Sequence, residues 1–458
     1  MAIVSINPST GQVLKTFEPL NDAQIEEKLR RAKEAFCVWR KVPFSERAKR
    51  MVRAAELLEA GKENFARLAS TEMGKTFRSA VDEAAKCAWA CRFYAENAER
   101  FLADDVIETS AARSYVQYQP LGAILAVMPW NYPFWQVMRF AAPAVMAGNV
   151  VVLKHAANVP QCALQVEELF RSAGFPPGVF QTMLVGRDRV DKLLEDPRIA
   201  AATLTGSETA GIDIGIAAAK RVKKVVLELG GTDPFIVMPS ADLNAAVATG
   251  VKARTVNNGE SCIAAKRFIV AEPIADEFEQ KFAAKMASLK VGDPFEEGVD
   301  VGPLVGPDAV AGLDEQVKQT VKAGARVLAG GRRLDRPGYF FAPTVLTNIP
   351  EGSPGDCEEL FGPVACVYRA KDAGDAIRIA NNSRYGLGAS VWTSDKTEAE
   401  CFIRELESGM VFINQMVASD PRVPFGGVKR SGHGRELGVF GIREFTNTKT
   451  VWIQGGCG

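Results

Sequence analysis

Short, continuous apolar runs separated by helical stretches dominate the middle of this chain. Residues 122–128, 150–153, 179–185 and 200–204 are each almost uniformly apolar, too short for helices and without the in–out alternation of a half-exposed strand. They predict strands buried on both faces. Between them, residues 161–173 and 190–195 carry helical patterns. Buried strands alternating with helices predict a parallel, doubly wound sheet, which takes ligands at the carboxyl ends of its strands. Upstream, residues 22–101 read as successive amphipathic helices rich in Ala, Leu, Glu, Lys and Arg. Residues 114–120 alternate polar and apolar, as a half-exposed strand does. A second α/β series runs from residues 234–237 to 411–414. Residues 450–453 predict a terminal strand whose partner is either residues 115–119 or another subunit.

The chain of 458 residues is too long for one simple core, so two or three lobes are expected. Lys+Arg and Asp+Glu are each 55, and this balance argues against a nucleic-acid surface or a polybasic membrane anchor. Apolar stretches are broken by Gly, Pro or charge before they reach bilayer length, so no membrane partner is expected. The first residues lack a basic segment followed by an apolar one, as a signal peptide has; cytoplasmic localisation is expected. Nine cysteines occur without a CxxC pair, and only two histidines are present, His155 and His433. No metal site is expected from this set.

Candidate chemistry centres on Cys262. It follows Asn257-Asn258-Gly259-Glu260-Ser261, and Asn-Gly signals a tight turn, which places the thiol on a polar loop. Glu228 lies in Leu227-Glu228-Leu229-Gly230-Gly231, a carboxylate in an apolar, glycine-ended stretch. A cysteine nucleophile and a glutamate base together suit covalent chemistry followed by hydrolysis. Read singly, Cys262 also fits a buried packing residue and Glu228 an ion-paired one. After the strand ending near Leu204 comes Gly206-Ser207 and then a helix. That turn suits either a phosphate site or an ordinary helix N-cap. Lys154 stands at the end of another strand. Trp135 and Arg139, four apart after Asn131, share a helix face. They read either as a channel wall with a carboxylate-holding arginine, or as a core tryptophan beside an arginine paired with a protein carboxylate.

These pieces together resemble the NAD(P)-dependent aldehyde dehydrogenase superfamily over essentially the full length. The stretches that carry the likeness are Pro129-Trp130-Asn131-Tyr132-Pro133, Leu153-Lys154-His155-Ala156, Thr205-Gly206-Ser207, Leu227 to Gly231, Asn258 to Cys262, Glu359 to Val364 and Pro424 to Gly432. A closer likeness, to bacterial succinate-semialdehyde dehydrogenases, rests on residues 135–139, 154–156 and 419–422. The resemblance implies a Rossmann-like cofactor domain (1–105 and 125–229), an α/β catalytic domain (230–430) and a small β oligomerisation arm (106–124 and 431–458). It implies a homodimer or homotetramer.

It also implies roles. Cys262 is the nucleophile, Asn131 and the Cys262 backbone N–H stabilise the oxyanion, and Glu228 activates the hydrolytic water. Trp130, Lys154, Ala157, Gly206, Ser207, Glu359 and Phe361 are implied at the cofactor. Ala157 stands where many NAD-preferring relatives carry a ribose-binding glutamate, so NADP is expected to be accepted and preferred, with NAD also used. Trp135, Arg139 and Ser419 are expected to hold a short aldehyde with a distal carboxylate, succinate semialdehyde before glutarate semialdehyde or an uncharged aldehyde. The chain departs from the pattern at Glu260, where relatives usually have glutamine and where the side chain is expected to face solvent. Residues 211–213 lack a basic residue often found there.

Overall fold

A computed structural model describes residues 2–455. The pattern of residues 22–101 resolves into four helices, Asp22–Trp39, Phe44–Ala60, Lys62–Met73 and Phe77–Phe101 (α1). Their apolar faces share one core with the first sheet, including Leu29, Leu58 and Tyr94 from the helices and Ile124, Val151 and Leu204 from the strands. The parallel strands of that sheet are β1 (Ala123–Met128), β2 (Val150–His155), β3 (Phe180–Thr182), β4 (Ile199–Thr205) and β5 (Lys224–Glu228). In space they run β5-β4-β1-β2-β3. Strand order therefore reverses between β1 and β4, and the crevice beyond their carboxyl ends is the ligand site of such a sheet. The loops and strand ends at that crevice bear Trp130, Asn131, Lys154, Ala157, Gly206, Ser207 and Glu228.

The second sheet holds seven strands. Pro234–Val237 is an interior strand, flanked in parallel by Arg267–Ala271, the central one, and Gly388–Trp392. Its residues alternate between two cores, Phe235 and Val237 on one face and Ile236 on the other. This is the period of two that a strand covered by helices on both sides requires. Thr446–Ile453 pairs antiparallel with Arg113–Pro120 from Thr446↔Pro120 to Ile453↔Arg113, so the terminal strand finds its partner within the chain. Asp105–Val106 completes this three-stranded arm. The paired arm is narrower than 106–124 and 431–458. Ala123 and Ile124 already belong to β1, and Gly432–His433 adds to the edge of the first sheet against β5. Among the described residues no helix is long and apolar enough to cross a membrane, and no group of three His, Cys, Asp or Glu side chains could hold a metal ion.

Candidate active site

The Cys262 loop connects helix Leu243–Thr255 to strand Arg267–Ala271. Asn257, Asn258 and Gly259 have φ of 55°, 60° and 81°, so three successive left-handed residues reverse the chain. Asparagine and glycine tolerate this region best, which is why Asn-Asn-Gly stands here. The reversal turns the loop inward. Asn258 Nδ2 donates to the carbonyls of Gly74 and Pro303, at 2.9 and 3.0 Å. Asn257 Nδ2 donates to the Asn131 and Glu260 carbonyls, at 2.8 and 2.9 Å. From the far side, Lys266 Nζ donates to the carbonyls of Ser261 and Cys262 at 2.9 and 3.0 Å, and lies 3.1 Å from Glu359 Oε1. A Cβ on Gly231 would come 2.8 Å from the Cys262 carbonyl, so glycine permits this close approach.

Glu260 does not face solvent. It is fully buried, its Oε1 accepting from the Val305 N–H at 3.0 Å. Burial pushes its carboxyl well above the usual carboxylate range, so the neutral form is favoured. The inward turn of the loop explains the difference, for it carries residue 260 into the interior with the rest of the segment.

Asn131 donates from Nδ2 to the Glu260 carbonyl at 3.1 Å, which leaves its second amide hydrogen free. Burial pushes the Cys262 thiol up to about 12, opposed by the charges of Arg139 and Lys266. Glu228 ends β5, 2% exposed, and neither carboxyl oxygen has a hydrogen-bond partner. Desolvation holds it well above its ordinary value, with Arg139 the leading opposing charge. Arg139 thus acts on both Cys262 and Glu228. His155 is occupied elsewhere: Nε2 lies 2.9 Å from the Pro133 carbonyl and Nδ1 accepts from the Ala156 N–H. His433 is exposed at the edge of the first sheet.

Cys262 opens into a cleft with an empty volume of about 800 Å³, whose walls include Trp135, Arg139 and Ser419. The structure therefore brings all three expected substrate residues together with the nucleophile. Arg139, however, is almost fully buried, and its guanidinium is ion-paired with Glu436. It stands 4.3 Å from the centroid of the Phe425 ring. Arg139 therefore lines the cleft while sharing its charge with a carboxylate of the protein, Glu436.

Sequence reasoning missed Glu436, Lys266, Lys75, Glu83 and Lys86. Glu83 Oε1 accepts from the N–H groups of both Phe134 and Trp135 at 2.8 Å, at the start of helix Trp135–Met146 (α2). Buried Lys75 is paired with the same carboxylate. No local signal marks Glu436 or Glu83, whose partners Arg139, Phe134 and Trp135 lie far off in sequence; Lys266 is only four and five positions from the Cys262 and Ser261 carbonyls it holds.

On the crevice side, Ser207 Oγ caps helix Glu208–Ala219, accepting from the Ala210 N–H at 3.3 Å. Lys154 is partly buried and its leading charged neighbour is Arg187; both effects lower its pKa. Ala157 is exposed beside it. Arg187 and Asp213 form an ion pair at 2.5 Å, so the acid in the segment that lacks a base is neutralised. Trp130 and Phe361 meet edge to face at 5.9 Å, and Glu359 Oε1 accepts from the Gly231 N–H at 3.1 Å.

A half-buried thiol and an unpartnered carboxyl near the switch point of a doubly wound sheet suit a nucleotide-dependent enzyme with a covalent step. Residues 1–451 match the aldehyde dehydrogenase family, to which this chain belongs. A probable succinate-semialdehyde dehydrogenase (NADP+) of Synechocystis is 53% identical over 99% of this chain and 100% of its own. Succinate-semialdehyde dehydrogenase (NADP+) 1 of Mycobacterium tuberculosis is likewise 53% identical, with 99% and 100% covered. The solved structure of succinic semialdehyde dehydrogenase from Streptococcus pyogenes with NADP+ superposes with a TM-score of 0.97 at 36% identity, covering 99% of this chain and 100% of that one.

Proposed function

We propose that the protein oxidises succinate semialdehyde to succinate, with NADP+ preferred and NAD+ also accepted. The observation that carries this reading is the cleft, in which Cys262 shares one cavity with an apolar wall, Trp135, and with the cation and hydroxyl side of Arg139 and Ser419. The full-length likeness to succinate-semialdehyde dehydrogenases supports it.

The residues at the crevice suit a dinucleotide with an additional phosphate. Lys154 brings positive charge, Ala157 brings none and takes little room, and the start of helix Glu208–Ala219 favours an anion. Lys154 and Ala157 would hold the adenosine ribose and its phosphate, Gly206 and Ser207 the diphosphate, and Trp130, Glu359 and Phe361 the nicotinamide end. The bound dinucleotide supplies the hydride acceptor.

The protein's own residues do the rest. The Cys262 sulfur adds to the aldehyde carbon and the carbonyl oxygen becomes an oxyanion. The free Asn131 amide hydrogen and the Cys262 N–H, which makes no other hydrogen bond among the described residues, are its donors. After oxidation the acyl group is a thioester on Cys262. Glu228, ionised, takes a proton from water, which attacks the thioester and releases succinate and the thiol. The protein is further proposed to be cytoplasmic and to assemble as a homodimer or homotetramer through the β arm.

The test is a dehydrogenase assay over succinate semialdehyde, glutarate semialdehyde and butanal, with NADP+ and NAD+ in parallel. The expected result is the highest kcat/KM with succinate semialdehyde and NADP+. A higher value for butanal, or for NAD+, would overturn the corresponding half of the proposal.

A further inference from the structure

Lys266 stands where the Cys262 loop enters the second sheet, and that sheet fixes its backbone. Its N–H donates to the Asp233 carbonyl at 3.1 Å, and its own carbonyl accepts from the Cys366 N–H at 3.0 Å. The side chain turns back along the loop and is buried. Nζ donates to the carbonyls of Ser261, Cys262 and Ala264 at 2.9, 3.0 and 3.2 Å. Glu359, with Oε1 at 3.1 Å, is the one carboxylate within 4.0 Å of this ammonium among the described residues. An ammonium has three hydrogens and accepts nothing, so it can gather several carbonyl oxygens of one loop around itself.

The Ser261 contact bears on the reaction. The Ser261–Cys262 peptide is trans and planar, so its C=O and N–H point in opposite directions. Lys266 holds the C=O, and the Cys262 N–H is thereby aimed away from Lys266, free of any other hydrogen bond among the described residues. Turning this peptide over would strip a buried ammonium and a carbonyl of their bond, which is costly where water does not reach. The preceding carbonyl, that of Glu260, accepts from Asn131 Nδ2 at 3.1 Å and from Asn257 Nδ2 at 2.9 Å. Two successive carbonyls of one loop therefore orient the two oxyanion donors: Glu260 holds the Asn131 amide, and Ser261 sets the direction of the Cys262 N–H. Lys266 also brings charge to the thiol, second to Arg139 among the groups that oppose the effect of burial there.

We propose that Lys266 is the positioning residue of the oxyanion site: it holds the Ser261 carbonyl so that the Cys262 N–H faces the aldehyde oxygen, and through Glu359 it ties this peptide to the nicotinamide end of the dinucleotide. This rests on the reading of Cys262 as the nucleophile and of Glu359 as a cofactor residue. No bond to Lys266 forms or breaks. Its positional effect is felt only when the carbonyl oxygen gains negative charge, and is absent from reactions of the thiol that raise no oxyanion.

The experiment sets two reactions of Cys262 against each other in wild type, Lys266→Met and Lys266→Arg. Iodoacetamide is attacked at a saturated carbon and raises no oxyanion, so alkylation of Cys262, followed by peptide mass, reads the thiol alone. Single-turnover reduction of NADP+ by saturating succinate semialdehyde reads the thiol and the oxyanion together. In Lys266→Met reduction should fall about 10²-fold, the loss typical of one oxyanion donor, and alkylation at the same pH by less than about tenfold. Lys266→Arg keeps the charge opposite Glu359, and so serves as the test should the methionine variant fail to fold. Its planar fork does not reproduce an ammonium among three carbonyls. It should be alkylated within about threefold of the wild-type rate, yet reduce NADP+ at least about tenfold more slowly. Equal losses in reduction and alkylation would confine Lys266 to the charge of the thiol, and wild-type reduction by the arginine variant would show that charge alone suffices; either result overturns the proposal. Every aldehyde raises the same oxyanion, so the split is expected with butanal as well. A wild type that prefers butanal would refute the substrate reading, and the variants assayed with butanal would still decide the role of Lys266.

Discussion

Burial raises the pKa of both Cys262 and Glu228, and that shared shift sets their behaviour in the unliganded protein. For the thiol, with its proton held up to about 12, only the small thiolate fraction reacts. Its alkylation by iodoacetamide is expected to be slow at neutral pH and to rise about tenfold per pH unit between about pH 7 and 10. A plateau near neutrality would show a thiolate stabilised before any ligand arrives. For Glu228, Gln keeps the shape but cannot take a proton from water. Glu228→Gln should give a burst of reduced cofactor near one equivalent, then steady turnover slower by about 10²-fold or more. Equal loss of burst and turnover would assign Glu228 to structure. The same burial has a sign for stability. The folded state raises the Glu228 pKa, so its contribution is complete below the unfolded value and is lost as pH rises through the folded one. The Tm of Glu228→Gln relative to wild type should therefore climb with pH. Cys262 and Glu228 stood out as candidates through local sequence, a turn signal and an apolar frame, whereas Asn131 entered through the family resemblance. Glu260 was misread because charge alone suggests solvent, whereas the left-handed Asn257 and Asn258 turn the segment inward.

At the scale of elements, the least legible device is the buried pair beneath α2. Every residue of Trp135–Met146 is buried, so its first N–H groups cannot turn to water. Glu83, 52 positions before Trp135, accepts from two of them, and Lys75 balances the charge. The pair fixes where α2 begins, and so where Asn131 and Trp135 stand in the cleft. Removing the carboxylate by Glu83→Ala leaves Lys75 buried without its partner and two N–H groups unmet. We expect a loss of about 3–5 kcal/mol in denaturant unfolding. Lys75→Met in the same background should recover part of it, because the uncompensated charge is then gone. A loss below about 1 kcal/mol would show that water replaces the carboxylate. Periodicity revealed the helices and strands here because each buries a face. It could not reveal which helix supplies the acceptor for another's end, since that depends on packing between segments far apart in the chain.

At the scale of the whole molecule, the two α/β lobes share buried contacts, with Leu387 and Phe425 packed into the core of the first sheet, whereas the strands of the arm add no buried residue to any core. Its three strands stand outside the large cores, and it carries Val106, Ile107 and Trp452 exposed at 70%, 49% and 51%. The sequence pattern left two partners open for the terminal strand. Pairing with residues 113–120 answers that question, yet Thr446–Ile453 remains an edge of its sheet, with backbone donors and acceptors along one side. Such an edge invites another strand, and the exposed apolar side chains add a gain from burial. On the proposal that the arm assembles the oligomer, light scattering should give a mass of two or four chains. Trp452→Glu should shift this toward the single chain, because a carboxylate placed in a dry contact is costly. Unfolding of the single chain should change little, since Trp452 contributes to none of the hydrophobic cores. A variant that keeps the full assembled mass, or a wild type that is already a single chain, would remove the arm from the contact. The cleft lies apart from the arm, none of whose strand residues is among those lining it. A dissociated Trp452→Glu protein should therefore still form the thioester on Cys262, and single-turnover reduction of NADP+ measures this directly.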